Sequence, residues 1–331
     1  MPSRLIIALS LFVTALALSY FFVPETVLVT PTPPPRPIWS IRSIDTMKYS
    51  RDIAREKASD INFDMVIDQQ VGNIAATGAT HVAIATPYDE EFIPFLSRWV
   101  SAARKYNLKV WYRGNFSGWE QWFDYKRITR EQHLSQTKDF ILSHESLFED
   151  GDLFTPCPEC ENGGTGDPRM TRDFAGHKKF LIDSTVVGRD AFASIGKQVQ
   201  VGYHSMNYDV AMEIMDKETT AAVGGIVAID HYVATPEKMI KDIEILKERS
   251  GGKIFLGEFG APIPDINGKM TESEQADWLE QTLSQLTNAK SVIGLNYWVN
   301  VGGSTELWDG DGNARLAVNV LTKYFTLKIP H

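Results

Sequence analysis

The sequence predicts a (β/α)8 barrel, on three observations. From residue 38 onward, short apolar β-rich runs alternate with helix-length segments, and the alternation occurs eight times. Polar, aromatic and acidic residues collect at the C-terminal ends of the predicted strands, where such barrels place their chemistry. An open doubly wound sheet would carry a Gly-rich phosphate loop after an early strand. Gly163-Gly164-Thr165-Gly166 follows a strand but lacks a following lysine and the required spacing, so it reads as a flexible loop.

The predicted strands are Ile38–Ile44, His81–Thr86, Lys109–Arg113, Leu153–Cys157, Gln198–Tyr203, Gly225–Asp230, Ile254–Leu256 and Val292–Trp298. Helix-like segments between them include Asp64–Ala76, Phe92–Tyr106, Arg130–Leu147, Arg172–Ile195, Pro236–Arg249 and Thr271–Leu286. Thr271-Glu272-Ser273-Glu274 and Thr235-Pro236-Glu237 are helix starts, because a Thr oxygen can accept from an otherwise unpaired backbone N–H. Gly251-Gly252 and Asn107 mark helix stops.

Ahead of the barrel, Leu5 to Val23 is almost continuously apolar, with Arg4 on its left flank. Residues 1–23 are therefore expected to be a signal peptide or a signal-anchor helix, and the positive flank places the remainder outside the cytoplasm. Residues 24–37 form a Pro-rich linker, a stiff spacer suited to holding a domain off a membrane. The expectation is an exported protein, anchored to the membrane through this segment, or secreted if the segment is cleaved.

The net charge of −9 and the lack of a basic stretch exclude nucleic acid as a partner, since no run of phosphates could be neutralised. Hydrophobic content of 43% is enough for a sizeable core.

Reading the strand ends in order yields Asp45, Pro87-Tyr88-Asp89-Glu90, Arg113-Gly114-Asn115, Glu159, His204-Ser205-Met206-Asn207, His231-Tyr232, Glu258 and Trp298. Glu258 closes the apolar run Lys253-Ile254-Phe255-Leu256-Gly257, and Glu159 follows Asp152-Leu153-Phe154-Thr155-Pro156-Cys157-Pro158 in a similar layout. Two such glutamates can face each other across a glycosidic bond.

With these strand ends the chain resembles glycoside hydrolase clan A, the retaining glycosidases built on (β/α)8 barrels, and is nearest to the family 5 cellulase and mannanase pattern. The resemblance covers nearly all of residues 38–331, on short motifs, and marks a divergent member. It implies that Glu159 is the acid/base, that Glu258 in Leu-Gly-Glu-Phe-Gly is the nucleophile, that Tyr232 orients the nucleophile, and that Trp298 in Asn-Tyr-Trp lies under the bound sugar. Leu307-Trp308-Asp309-Gly310-Asp311-Gly312-Asn313 is similar to the closing loop before the last helix of those enzymes. The substrate implied is a β-linked poly- or oligosaccharide, with no cofactor.

Three departures stand out. Pro158 precedes Glu159 where the pattern has an asparagine that hydrogen-bonds the sugar 2-hydroxyl. Asp230 replaces the histidine of His-x-Tyr on the sixth strand. The arginine expected near the end of strand two is missing, and Arg113 at the end of strand three is the residue available for that role. A non-catalytic carbohydrate-binding barrel, or a transglycosidase acting on envelope glycan, is the alternative such departures leave open.

Beyond the carboxylates, the expected substrate-binding residues are Trp298, Arg113, Asn115, Trp119, His204, Asp230, His231 and Trp308. Flat aromatic faces stack on the C–H faces of sugars, which singles out Trp119, Trp122, Trp298 and Trp308; Trp111 falls inside a strand and reads as core. Glu161 is the rival acid, two residues beyond Glu159. Cys157 and Cys160 bracket Pro158-Glu159, and a local disulfide, free thiols and a redox motif compete there. A disulfide stiffening the acid/base loop is the expectation; metal binding would need two further ligands with suitable spacing. Asp309-Gly310-Asp311-Gly312-Asn313 starts like a calcium loop, but Val320 stands where an EF-hand needs its bidentate glutamate.

Overall fold

The computed structural model describes residues 36–329, so the apolar segment at 1–23 and nearly all of the Pro-rich linker at 24–37 lie outside the described residues. Among the described residues, no helix is long and apolar enough to cross a membrane.

Nine strand segments build one parallel sheet: β1 Ile41–Asp45, β2 His81–Ile84, β3 Lys109–Tyr112, β4 Leu153–Phe154, β5 Gln200–Val201, β6 Met206–Asn207, β7 Ile226–Asp230, β8 Lys253–Phe259 and β9 Val292–Tyr297. Their order across the sheet is β5-β4-β3-β2-β1-β9-β8-β7-β6. The two ends of that series, β5 and β6, are joined by residues 202–205 alone, so the sheet returns on itself and the two segments together occupy the fifth barrel position. The single run expected at Gln198–Tyr203 is thus divided. Gly202 and Tyr203 both take positive φ (132° and 54°), which breaks the ladder between β5 and β6.

Around the sheet run α1 Phe63–Ala76, α2 Ile93–Lys105, α3 Arg130–Ser143, α4 Phe174–Ser194, α5 Tyr208–Ile214, α6 Lys217–Ala222, α7 Pro236–Ser250, α8 Glu272–Leu286 and α9 Leu316–Thr326. The start signals at Thr271 and Thr235 are realised. Thr271 and Glu274 form a reciprocal capping box, and the Thr235 side chain accepts from the Lys238 N–H. Thr129 and Gln132 form a second capping box, at the start of α3. Gly251 ends α7 in the left-handed conformation at φ 67°, where a Cβ would be strained.

Two apolar layers hold the barrel. Outside it, strand residues such as Val82, Val110, Phe154, Ile229, Leu256 and Leu295 pack under the helices. Inside it, Ile41, Ala83, Trp111, Leu153, Tyr203, Ala228 and Phe255 form a separate plug. Phe255 meets Trp111 and Tyr203 edge to face, with ring centroids 5.1 and 5.2 Å apart. Strand side chains alternate, so the residues two beyond the plug also point inward, one layer nearer the C-terminal end. Ile41 is followed by Ser43 and Asp45, Trp111 by Arg113, and Ala228 by Asp230. A dry plug thereby carries a polar floor above it.

Candidate active site

Arg113 is the hub of that polar floor. Its Nη1 donates to Asp45 Oδ2 at 2.9 Å and to Glu258 Oε1 at 2.5 Å, and its Nη2 donates to Asp230 Oδ2 and to the Ser205 hydroxyl, each at 3.0 Å. The guanidinium lies 5.3 Å over the Trp111 ring of the plug and is fully buried. Burial without partners would cost a cation dearly, and three carboxylates offset that cost. They hold the guanidinium proton well above its usual range. One cation cannot balance three buried anions, however. Burial pushes the Asp230 carboxyl well above the usual range and raises Asp45 as well, despite the attraction of Arg113.

Glu258 reaches this hub through an irregularity. Leu256 pairs with Ile229 and Glu258 with Asp230, so Gly257 is skipped on the β7 side. A one-residue bulge re-aims the next side chain, and here Phe255, Gly257 and Glu258 all serve the barrel interior. A Cβ on Gly257 would stand 2.6 Å from Asp230 Oδ1 and 2.7 Å from Ser205 Cβ, which is why glycine occupies the skipped position. The second oxygen of Glu258 accepts from the Tyr232 hydroxyl at 2.6 Å. Both carboxylate oxygens are therefore held, and the plane of the group is set. Burial and the Glu258 charge raise the Tyr232 phenol well above its ordinary pKa, so it stays a donor.

Glu159 lies five residues beyond the end of β4, in the left-handed conformation at φ 45°, and its N–H donates to the Ser205 carbonyl at 2.7 Å. Cys157 and Cys160 are joined in a disulfide on either side of it. Carboxylate oxygens of Glu159, Asp230 and Glu258 lie within 4.8 Å of one another. Burial first, and the Glu258 charge second, raise the Glu159 carboxyl above its ordinary pKa. Three such carboxylates could hold a cation, but Arg113 already supplies positive charge to two of them.

Trp298, directly after β9, is half-buried and meets Tyr232 edge to face at 5.9 Å. It flanks the Glu258 side of the site.

The structure directs several expected binding residues elsewhere. Trp119 is 1% exposed, stacks on Phe180 at 4.8 Å and donates its indole N–H to the Cys160 carbonyl, so neither face is open to a sugar. Trp308 is buried within the closing loop, where it bridges to Ala314. His204 turns outward to Thr185 on α4 at 2.8 Å. His231 turns outward to Asp242 on α7 at 2.8 Å, because it alternates with the inward Asp230. Asn115 is buried with its amide spent on Phe116 N–H, His133 and Glu120. Arg113 itself is sealed beneath the carboxylates, where it can position Glu258 without touching a substrate. Glu161, the rival acid, is buried with Oε1 accepting from the Asn207 N–H at 2.8 Å, and burial pushes it up to about 7.

Sequence reading missed how Asp45 and Ser205 join the hub. Both stood among the strand ends, but nothing local says which strand ends meet. It also missed Glu120, whose carboxyl is pushed up to about 8 by burial and by Glu159.

No family model matches the chain, and no curated protein matches it in sequence. Solved structures do resemble it. A GH5_18 protein from Streptomyces cattleya, in complex with Manβ1-4GlcNAc, superposes with a TM-score of 0.63 at 14% identity, over 86% of this chain and 80% of that one. Fungal β-1,4-galactanase matches with a TM-score of 0.56 at 14% identity, over 86% and 99% of the two chains. The β-D-glucuronidase of Dictyoglomus thermophilum matches with a TM-score of 0.56 at 14% identity, over 87% of this chain and 50% of its own. The chain shares their barrel fold. It spans about half the length of the β-glucuronidases it matches. The strand-end resemblance and the fold likeness thus point to the same class of barrel.

Proposed function

We propose that this barrel is a retaining glycoside hydrolase of β-linked poly- or oligosaccharides. The observation that carries the reading is that a carboxylate oxygen of Glu159 and one of Glu258 lie within 4.8 Å of each other. Retaining enzymes hold their two carboxyls about 5–5.5 Å apart, whereas inverting ones need about 6.5–9.5 Å to admit a water between them.

In the first step Glu258 attacks the anomeric carbon while Glu159 gives its proton to the glycosidic oxygen, which leaves as a sugar hydroxyl. In the second step a water attacks the same carbon, Glu159 takes the water's proton, and Glu258 departs as a carboxylate. The raised pKa of Glu159 suits a group that must begin protonated. Arg113 and Tyr232 fix the attacking carboxylate, and Trp298 supplies an aromatic face beside it. Pro158 offers no side-chain donor for the sugar 2-hydroxyl, so that contact is not made from the position before the acid.

We further propose that the protein works outside the cytoplasm. The apolar segment at 1–23 supports export, and the Cys157–Cys160 disulfide suits an oxidising compartment.

The test is reducing-end release from β-glucans, mannans, xylans and galactans by wild type, Glu258→Gln and Glu159→Gln. Activity present in wild type and lost in both variants supports the reading. Sugar binding without any bond cleavage would overturn it in favour of a binding barrel, and products longer than the donor would show transfer.

A further inference from the structure

The segment after β1 lays a row of cations along the mouth of the site. Lys48, Arg51 and Arg55 follow one another through two one-turn helices, Met47–Ser50 and Ala54–Lys57, with Arg51 in the turn between them. Each sits on an aromatic ring: Lys48 Nζ lies 5.8 Å from the Trp298 ring centre, Arg51 lies 4.8 Å from that of Trp122, and Arg55 lies 4.9 Å from that of Phe123. Arg51, Asp52, Trp122 and Phe123 line a cavity of about 250 Å³, room for a single sugar unit.

The charges in this row do not cancel. Arg55 is paired with Glu91, whereas Lys48 and Arg51 both pair with Asp52, at 2.9 and 2.8 Å, so two cations share one carboxylate in a chain whose net charge is −9. Arg51 also stands close enough to the reacting groups for its charge to oppose the upward shifts of Glu159 and Glu120. The residual positive charge therefore lies beside the acid/base, on a half-buried tryptophan face.

We propose that Arg51, on Trp122, forms a subsite for a sugar bearing an anionic group, a carboxylate or a sulfate ester, next to the cleaved bond. The inference rests on the glycosidase reading for its placement. The ring of the sugar lies against Trp122, and its anionic group takes the two-pronged Nε–Nη2 edge of the guanidinium in place of Asp52. Lys48 adds charge from the Trp298 side and keeps Asp52 paired when the ligand takes Arg51. A neutral sugar uses the aromatic face alone.

Affinity electrophoresis of the full chain carrying Glu258→Gln tests this without hydrolysis. The probes are polymannuronate, hyaluronan and C6-oxidised cellulose, each beside its carboxyl-reduced neutral form, with cellulose sulfate as the sulfate-ester arm. At least one acidic polymer is expected to bind ten-fold or more tightly than its neutral partner. That preference should fall to less than three-fold in Arg51→Gln and fall only partly in Arg51→Lys, which keeps the charge but not the two-pronged geometry. Lys48→Gln should reduce it partially. Equal or stronger binding of every neutral form, or a preference that survives Arg51→Gln, would overturn the subsite. Cleavage of a neutral glycan by the protein with Glu258 intact would leave the hydrolase reading standing even then. Acidic binding with no cleavage of any polymer would support the subsite while removing the hydrolase.

Discussion

The Tyr232 hydroxyl donates to Glu258 Oε2 at 2.6 Å, while Arg113 holds Oε1, so the proposed nucleophile is fixed by a neutral donor on one side and a charged one on the other. A hydrogen bond to a charged group contributes about 1.5–3 kcal/mol. Tyr232→Phe should therefore lower kcat by about 10- to 100-fold, with a stability cost of no more than about 3 kcal/mol, since its ring and its contact with Trp298 remain. Steady-state kinetics on whichever glycan the panel identifies measures this. An unchanged kcat would remove Tyr232 from the positioning role.

Glu159→Gln should behave as the loss of a general acid. Such groups contribute about 10²–10⁴-fold, so turnover of natural glycans should fall in that range, with a much smaller loss on nitrophenyl glycosides whose leaving group needs no proton. The Glu258 charge helps to raise Glu159, so Glu258→Gln should lower the Glu159 pKa. Carbon-13 NMR titration of the carboxyl reads that shift. A downward move is expected, and an upward one would contradict the placement of the pair.

Gly257→Ala probes the bulge. The added methyl would stand 2.6 Å from Asp230 Oδ1 and 2.7 Å from Ser205 Cβ, so both must move, and each is bonded to Arg113. The expected outcome is a destabilisation of about 1–3 kcal/mol by overpacking, with a larger proportional loss in kcat than in thermal stability. Denaturant melts beside kinetics separate the two. Wild-type behaviour in both would show that the interior tolerates a side chain there.

Glu161 makes stability depend on pH in a defined direction. Burial raises it to about 7, so the folded protein keeps a proton that the unfolded chain releases near its ordinary value of 4.5. Below pH 4.5 both states are protonated and nothing is lost. Between 4.5 and 7 stability falls by about 1.4 kcal/mol per pH unit, which approaches about 3 kcal/mol. Glu161→Gln keeps the oxygen that accepts from Asn207 and removes the titration. Its stability relative to wild type should be similar at pH 4 and higher at pH 8, by urea unfolding at both. A gap that does not widen with pH would contradict the burial of this carboxyl.

The Cys157–Cys160 bridge joins cysteines three positions apart, which contributes little through chain entropy compared with a long loop. Its value is local, because Glu159 lies inside it at positive φ. Reduction, or the double change Cys157→Ser and Cys160→Ser, should lower kcat several-fold while leaving the melting temperature within a few degrees. Mass spectrometry confirming reduction, together with unaltered kinetics, would assign the bridge no part in holding Glu159.

Local sequence determined a good deal. The eight-fold alternation of apolar runs and amphipathic segments, the caps at Thr235 and Thr271, the stop at Gly251, and the strand ends bearing Glu159, Tyr232, Glu258 and Trp298 all depend on neighbours within a few residues. Such features are legible in a chain read by itself.

Tertiary structure decided the rest. Closure of the barrel placed Asp45, Arg113, Ser205, Asp230 and Glu258 around one point, although they come from separate strands and loops. It placed the skipped Gly257 so that Glu258 turns inward, and it split the fifth strand at Gly202 and Tyr203. It also consigned Trp119, Trp308, His204 and His231 to packing, while bringing Lys48 and Arg51 to the rim. The physical reason is range. Periodicity and capping are set by the spacing of residues along the chain, whereas burial, charge balance and the aim of a side chain are set by which strands meet across the barrel.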